Sequence, residues 1–117
     1  ILKYQWRNDK AAVIGKFATV TSPLSADTLT LTYAATPNSS VYAVESPDAI
    51  EPADPCAYTA FRYPENNKSA GIVFGGNATD HWRSIVLAIP FETIMETPRR
   101  TKLMQMILNY LLQPAAF

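Results

Sequence analysis

His81 is the sole histidine of this 117-residue chain, and Cys56 is its sole cysteine. A Ser–His–Asp or Cys–His hydrolase needs a histidine base beside a nucleophile held on a sharp, glycine-flanked turn. Cys56 instead follows a proline in Asp54-Pro55-Cys56-Ala57, and no Gly-x-Ser-x-Gly run occurs. His81, in Asp80-His81-Trp82-Arg83, reads as an exposed turn residue. A zinc site needs several convergent ligands, and the adjacent Asp80 and His81 cannot both face one point. The acids Glu45, Asp48, Glu51 and Asp54 offer hard oxygen ligands, but the Asp-x-Asp-x-Asp-Gly calcium pattern is missing and Pro47, Pro52 and Pro55 stiffen the stretch. A solvated acidic loop is expected there, and neither a metal nor another cofactor is expected.

Glycoside hydrolysis would need paired carboxylates about 5–9 Å apart, one of them in an apolar setting. Glu92, after Pro90-Phe91, is the only acid with such neighbours. It is expected to be a structural carboxylate, either paired with a buried arginine, Arg62 or Arg83, or bound to backbone donors at a strand end. Aromatic faces can stack on sugar rings, and Trp6, Trp82, Tyr58 and Tyr63 are available for that. Trp82, at a turn with His81 beside it, is the better placed tryptophan. If the chain binds a ligand, Trp82, His81 and Tyr63 are the residues expected to carry it. Gly75-Gly76-Asn77 is too short for a phosphate cradle and reads as a turn. Asn77-Ala78-Thr79 matches the glycosylation pattern, which is too short to weigh.

These residues must be positioned by a small apolar fold. Hydrophobic residues make up 48% of the chain and charged residues 17%, enough apolar content to bury a core. Ten basic residues balance ten acidic ones, so the excess of positive charge that nucleic-acid binding requires is missing. No apolar run is long enough to span a membrane. The chain opens at Ile1 without an initiator Met, which reads as a processed or excised piece.

Residues 1–9 read as a helix end or a tether, and Ala11–Val20 as an irregular strand interrupted by Gly15. Leu29, Leu31 and Tyr33 alternate with threonines, which marks a half-buried strand over Thr28–Tyr33. Val41–Ser46 repeats that alternation. Ser46–Pro55 reads as a surface loop, because each proline deletes a donor. Further strands are expected at Ala57–Tyr63, Ala70–Phe74 and Ser84–Phe91, the last two forming a hairpin. Thr97 as cap, Pro98 in the first turn and the spacing of Leu103, Ile107, Tyr110 and Leu111 predict an amphipathic helix over Arg99–Leu112, stopped by Pro114.

Several of these segments carry a resemblance as an ordered set. They are Ser69-Ala70-Gly71-Ile72-Val73-Phe74, then Trp82-Arg83-Ser84-Ile85-Val86-Leu87-Ala88-Ile89-Pro90-Phe91-Glu92-Thr93-Ile94, then the helix Arg100–Leu112. Val41–Pro52 and Phe61-Arg62-Tyr63-Pro64 extend the set upstream. Together, roughly residues 40–112 resemble the end of glutamine-amidotransferase-like, flavodoxin-like domains near the C-terminus of large secreted bacterial proteins, many described as xanthan lyases. Ala88-Ile89 departs from the glycine-aromatic pair more usual before Pro90.

The resemblance implies an α/β fold: a mixed, strand-rich sheet with a C-terminal amphipathic helix, the second part of a doubly wound domain whose first part lies upstream of Ile1. Residues 1–117 are then one domain or the C-terminal part of a larger module. True amidotransferases need a cysteine elbow and a late His-x-Glu, and neither is present here. The resemblance therefore implies a non-catalytic structural or interaction module of a secreted, periplasmic or cell-surface protein, partnered by the remainder of its parent and by polysaccharide. Two other functions fit the residues. One is a carbohydrate-binding module using exposed aromatics. The other is a fragment of a hydrolase or lyase whose catalytic residues lie outside this chain.

Overall fold

The computed structural model describes residues 2–8, 10–35, 43–44 and 47–113, with Asn8 by its backbone alone. Among these described residues seven strands, a single 3-10 turn and one helix follow in order: β1 Tyr4–Asn8, β2 Lys16–Thr19, β3 Thr30–Thr32, β4 Ala49–Pro52, β5 Ala57–Arg62, β6 Ser69–Phe74, β7 Ser84–Leu87, the turn Phe91–Thr93 and α1 Thr97–Leu111. The chain is thus mixed α/β, strand-rich, with an amphipathic helix at its C-terminal end.

Five strands make one sheet in the order β3-β2-β5-β6-β7, and β1 with β4 forms a separate two-stranded ribbon. Every neighbouring pair is antiparallel. The short connections explain this for β5, β6 and β7, since a parallel pairing needs a crossover of a dozen residues or more. No parallel pairing occurs among the described residues, so a doubly wound arrangement is not formed within them.

β6 is buried along its whole length, and its sequence Ser-Ala-Gly-Ile-Val-Phe is accordingly apolar without alternation. Ile72 and Phe74 cluster with Ile50 of β4 and Ala57 of β5, which ties the ribbon to the sheet. Val73 belongs to the larger cluster with Phe17, Leu31, Tyr33, Phe61, Leu103 and Tyr110, and Ile107 packs against it. Opposite β6, β5 carries an unmatched residue between Thr59 and Phe61, and β6 one between Gly71 and Ser69. The irregularity places Phe61 over Gly71, where an added Cβ would lie 2.5 Å from the Phe61 ring. Only glycine admits that approach.

Several expectations change. Residues 1–9 contain a strand rather than a helix end. Ser46–Pro55 contains β4 rather than a continuous loop: Pro47 and Pro55 flank the strand and Pro52 ends it. A ribbon strand bonded along one side only tolerates proline where its nitrogen faces away from the partner. Of the expected Val41–Ser46 strand, Ala43 and Val44 are described and lie outside any strand, while Val41, Tyr42, Glu45 and Ser46 fall outside the described residues. The β6–β7 hairpin forms as expected, although β7 ends at Leu87, before Pro90.

The helix starts one step earlier than Thr97 as cap would place it. Glu96, left-handed at φ 66°, is the N-cap, and its carbonyl accepts from Arg99 and Arg100. Only Leu103 and Tyr110 are fully buried on α1. Met104, Leu108 and Leu111 stay at least 37% exposed, so the apolar stripe is wider than the face that packs.

Candidate functional site: an aromatic groove beside an open sheet edge

The residues favoured for ligand contact do not converge. Trp82 is 39% exposed, and its ring lies 6.0 Å from that of Phe74. The Lys3 ammonium sits 5.6 Å from the Trp82 ring and 5.5 Å from the Phe74 ring, and donates to Asp80 at 2.7 Å. Asp54 is 3.9 Å from that ammonium and accepts from the Cys56 backbone. Trp82 therefore lies against a part-buried ion pair that anchors the start of β1. His81 is exposed, its Nε2 3.2 Å from the Ala78 carbonyl. That matches the turn histidine expected from sequence.

Tyr63 must be removed from any binding platform. It is wholly buried, and its hydroxyl donates to the Asp48 carbonyl at 2.6 Å. Burial pushes its phenol well above the usual tyrosine range. The expected partnership of Glu92 with an arginine is likewise not formed. Glu92 is exposed in the Phe91–Thr93 turn, Arg62 donates to the Asn67 carbonyl, and the Arg83 guanidinium lies 5.0 Å from the Tyr110 ring. A buried carboxylate needs a partner, whereas one on a solvated turn needs none.

The acidic stretch is also committed elsewhere. Glu51 pairs with Arg7 at 2.7 Å, Asp54 serves the Lys3 cluster, and Glu45 lies outside the described residues. Among the described residues no three His, Cys, Asp or Glu side chains are grouped to hold a metal. No helix there is long and apolar enough to cross a membrane. Asn77 uses its side chain to build the turn, accepting from Thr79 and Asp80 and donating to Asp54.

The Lys3 cluster gives a pH-dependent prediction. The hydrogen bond to Asp80 raises the Lys3 pKa most; partial desolvation opposes it, and the charges of Asp80 and Asp54 add to the rise. A raised lysine stabilises the fold fully below the unfolded value, near 10.5, and loses that contribution as pH rises through the folded value. Lys3→Met keeps the apolar stem and removes the charge. Its urea midpoint is expected to fall below wild type by a constant margin from pH 6 to about pH 9, and the margin to shrink above pH 10.5. Buried Tyr33, Tyr63 and Tyr110, all raised by burial, lower stability at alkaline pH in both proteins and cancel in the difference. A margin independent of pH would show that the ammonium contributes nothing.

A concave surface lies elsewhere. A groove of about 550 Å³ runs between the ribbon and β7, lined by Tyr4 and Trp6 of β1, Ala43 and Val44, Asp48 and Ile50, and Val86 to Pro90. In the ribbon Tyr4 pairs with Pro52 and Trp6 with Ile50, so both aromatics share the face that Ile50 turns toward β6. They remain 42% and 57% exposed because β1 lies beyond β4, outside the part of the ribbon that covers the sheet. From the sequence Trp6 ranks below Trp82, and Tyr4 is not singled out. The usable signal was the alternation of Leu2, Tyr4 and Trp6 with Lys3, Gln5 and Arg7.

The groove borders an open edge. The Ala88 amide donates to Ala70, which fixes the pairing phase: Val86 and Ser84 bond toward β6, and the backbone groups of Ile85 and Leu87 point outward. Among the described residues no hydrogen bond reaches those outward groups. The opposite edge is closed by the chain itself. Met95 donates to the Thr32 carbonyl, Arg99 to the Thr30 carbonyl and Ala34 to the Thr93 carbonyl. Such a strand–turn–strand–helix unit defines a class of architecture, not an activity. Comparisons of this chain with protein-family models, with curated proteins and with solved structures find no match.

Proposed function

We propose that this chain is a non-catalytic structural and interaction module of a larger secreted bacterial protein, the C-terminal part of a glutamine-amidotransferase-like domain, acting through the groove at β7. The observation that carries this reading is the contrast between the two sheet edges: β3 is capped by its own chain, and among the described residues nothing is hydrogen-bonded along the outer side of β7. Edges left unpaired promote pairing with other chains, and proteins normally blunt them. A flavodoxin-like parent would supply its parallel strands from sequence outside this chain, and β7 is the edge able to receive them. Among the described residues no hydrogen bond joins His81 to a thiol or a carboxylate, which supports binding rather than catalysis.

In the parent protein, His81→Ala and Glu92→Gln are expected to leave any lyase or hydrolase activity within about twofold. Trp6→Ala is expected to weaken association with the rest of the parent by roughly thirtyfold, the loss of one aromatic anchor. Activity abolished by either of the first two variants would favour the reading as an enzyme fragment.

Tyr4 and Trp6, exposed along one groove, also favour a second reading as a carbohydrate-binding module, with these rings as the platform. Retardation in polysaccharide affinity gels, lost in Trp6→Ala and kept in Trp82→Ala, would support it. Absence of retardation on xanthan and on neutral polysaccharides would remove it.

A further inference from the structure

We infer that the β7 edge takes an extended polypeptide segment from outside this chain as an added strand, held under Tyr4 and Trp6. This inference rests on the interaction-module reading and names its partner chemistry. Ile85 and Leu87 present outward N–H and C=O groups two residues apart, the spacing at which an added strand exchanges paired backbone bonds. A strand there would sit about 4.8 Å from β7 and about 10 Å below a covering layer, the spacings of stacked sheets. β1 provides that layer through the exposed rings of Tyr4 and Trp6.

Area and charge decide the occupant. β7 is four residues long, so its edge spans only about 14 Å. Edge-to-edge pairing with a second copy would fall well short of the roughly 800 Å² per partner of a stable dimer. A single strand laid in the groove is covered on one face by the rings and bonded along its side, which suits a short peptide segment. Asp48 is the only charged side chain lining the groove among the described residues. The fitting partner therefore alternates apolar residues toward the rings and carries a lysine or arginine where it passes Asp48.

The test uses the full chain and a capped peptide, Lys-Val-Thr-Val-Thr-Val, with amide exchange followed by NMR. Exchange at Ile85 and Leu87 is expected to slow about tenfold with peptide, while Val86, already bonded to β6, changes little. Leu87→Pro deletes one outward donor without touching the β6 ladder, and should abolish protection at Ile85. A peptide N-methylated at alternate amides keeps its side chains but cannot pair, and should protect nothing. That arm decides the matter on wild-type protein if Leu87→Pro fails to fold. Replacing the peptide lysine with glutamate should weaken binding.

Unchanged exchange at Ile85 and Leu87 at millimolar peptide overturns the inference, as does equal protection by the N-methylated peptide. Protection that grows with protein concentration alone would overturn it in favour of a second copy. If polysaccharide binds through Trp6 while the peptide does nothing, strand addition fails and the interaction-module reading stands. If neither peptide, polysaccharide nor parent segment binds, both fail.

Discussion

Phe61→Ala is expected to destabilise the protein by about 3–5 kcal/mol and to lower Tm by roughly 12–20 °C. Phe61 has no exposed surface, and its ring lies 5.7 Å from that of Phe17 and directly over Gly71. Removing it opens a cavity between β5 and β6, the pairing from which β7 is hung. The same contact predicts a specific coupling. In wild type, Gly71→Ala overpacks the site and costs about 1–3 kcal/mol. Once Phe61 is gone, the added methyl finds space on that side, although the Val86 carbonyl at 3.1 Å still crowds it. The double variant should thus be more stable than the summed single losses by about 1 kcal/mol, measured by urea denaturation. Strict additivity would show that the ring does not govern the glycine.

Leu103→Ala is the second large effect, at about 2–5 kcal/mol. Leu103 is fully buried against the helix side of the sheet, and with Tyr110 it fixes α1 there. Leu108→Ala, on the exposed flank of the same helix, should cost under about 1 kcal/mol. The pair of variants reads the orientation of the helix directly. Equal losses at both positions would mean that α1 presents another face to the sheet. Because Tyr110 lies against Arg83 just before β7, a loosened helix should also raise exchange at the hairpin amides around Ser84.

Legibility followed the period of the hydrophobic pattern. Leu29, Leu31 and Tyr33 alternate with threonines, and β3 formed within that stretch. The unbroken run Ala70–Phe74 read as a strand because a short apolar segment between turn signals has few alternatives. Arg99–Leu112 read as a helix because no breaker interrupts its spacing. β4 was hidden, since proline in a single sequence cannot show which side of its strand will be bonded. β1 was hidden by a different cause: its alternation is plain, but two of its apolar positions stay exposed, so no core requirement marked it.

The candidate site was legible only as an inventory of residue types. Trp82 and His81 are neighbours in sequence, yet one lies against a part-buried ion pair and the other leans on a turn carbonyl. Tyr63 offered an aromatic ring, but packing buried it and bound its hydroxyl to the Asp48 carbonyl. Trp6 and β7 are about eighty residues apart, and nothing local in either segment marks them as two walls of one groove.

By itself the sequence determined the elements with a clear period, the mixed α/β class, and the lack of charge excess and multi-cysteine chemistry. Those properties are set by neighbouring residues and by composition. Tertiary structure alone decided which edge stays open, which aromatics remain exposed and which acids are spent on ion pairs. Each of these depends on what long-range packing brings against a residue. Among the described residues β7 has no strand neighbour on its outer side, while β3 has one in residues 93–95.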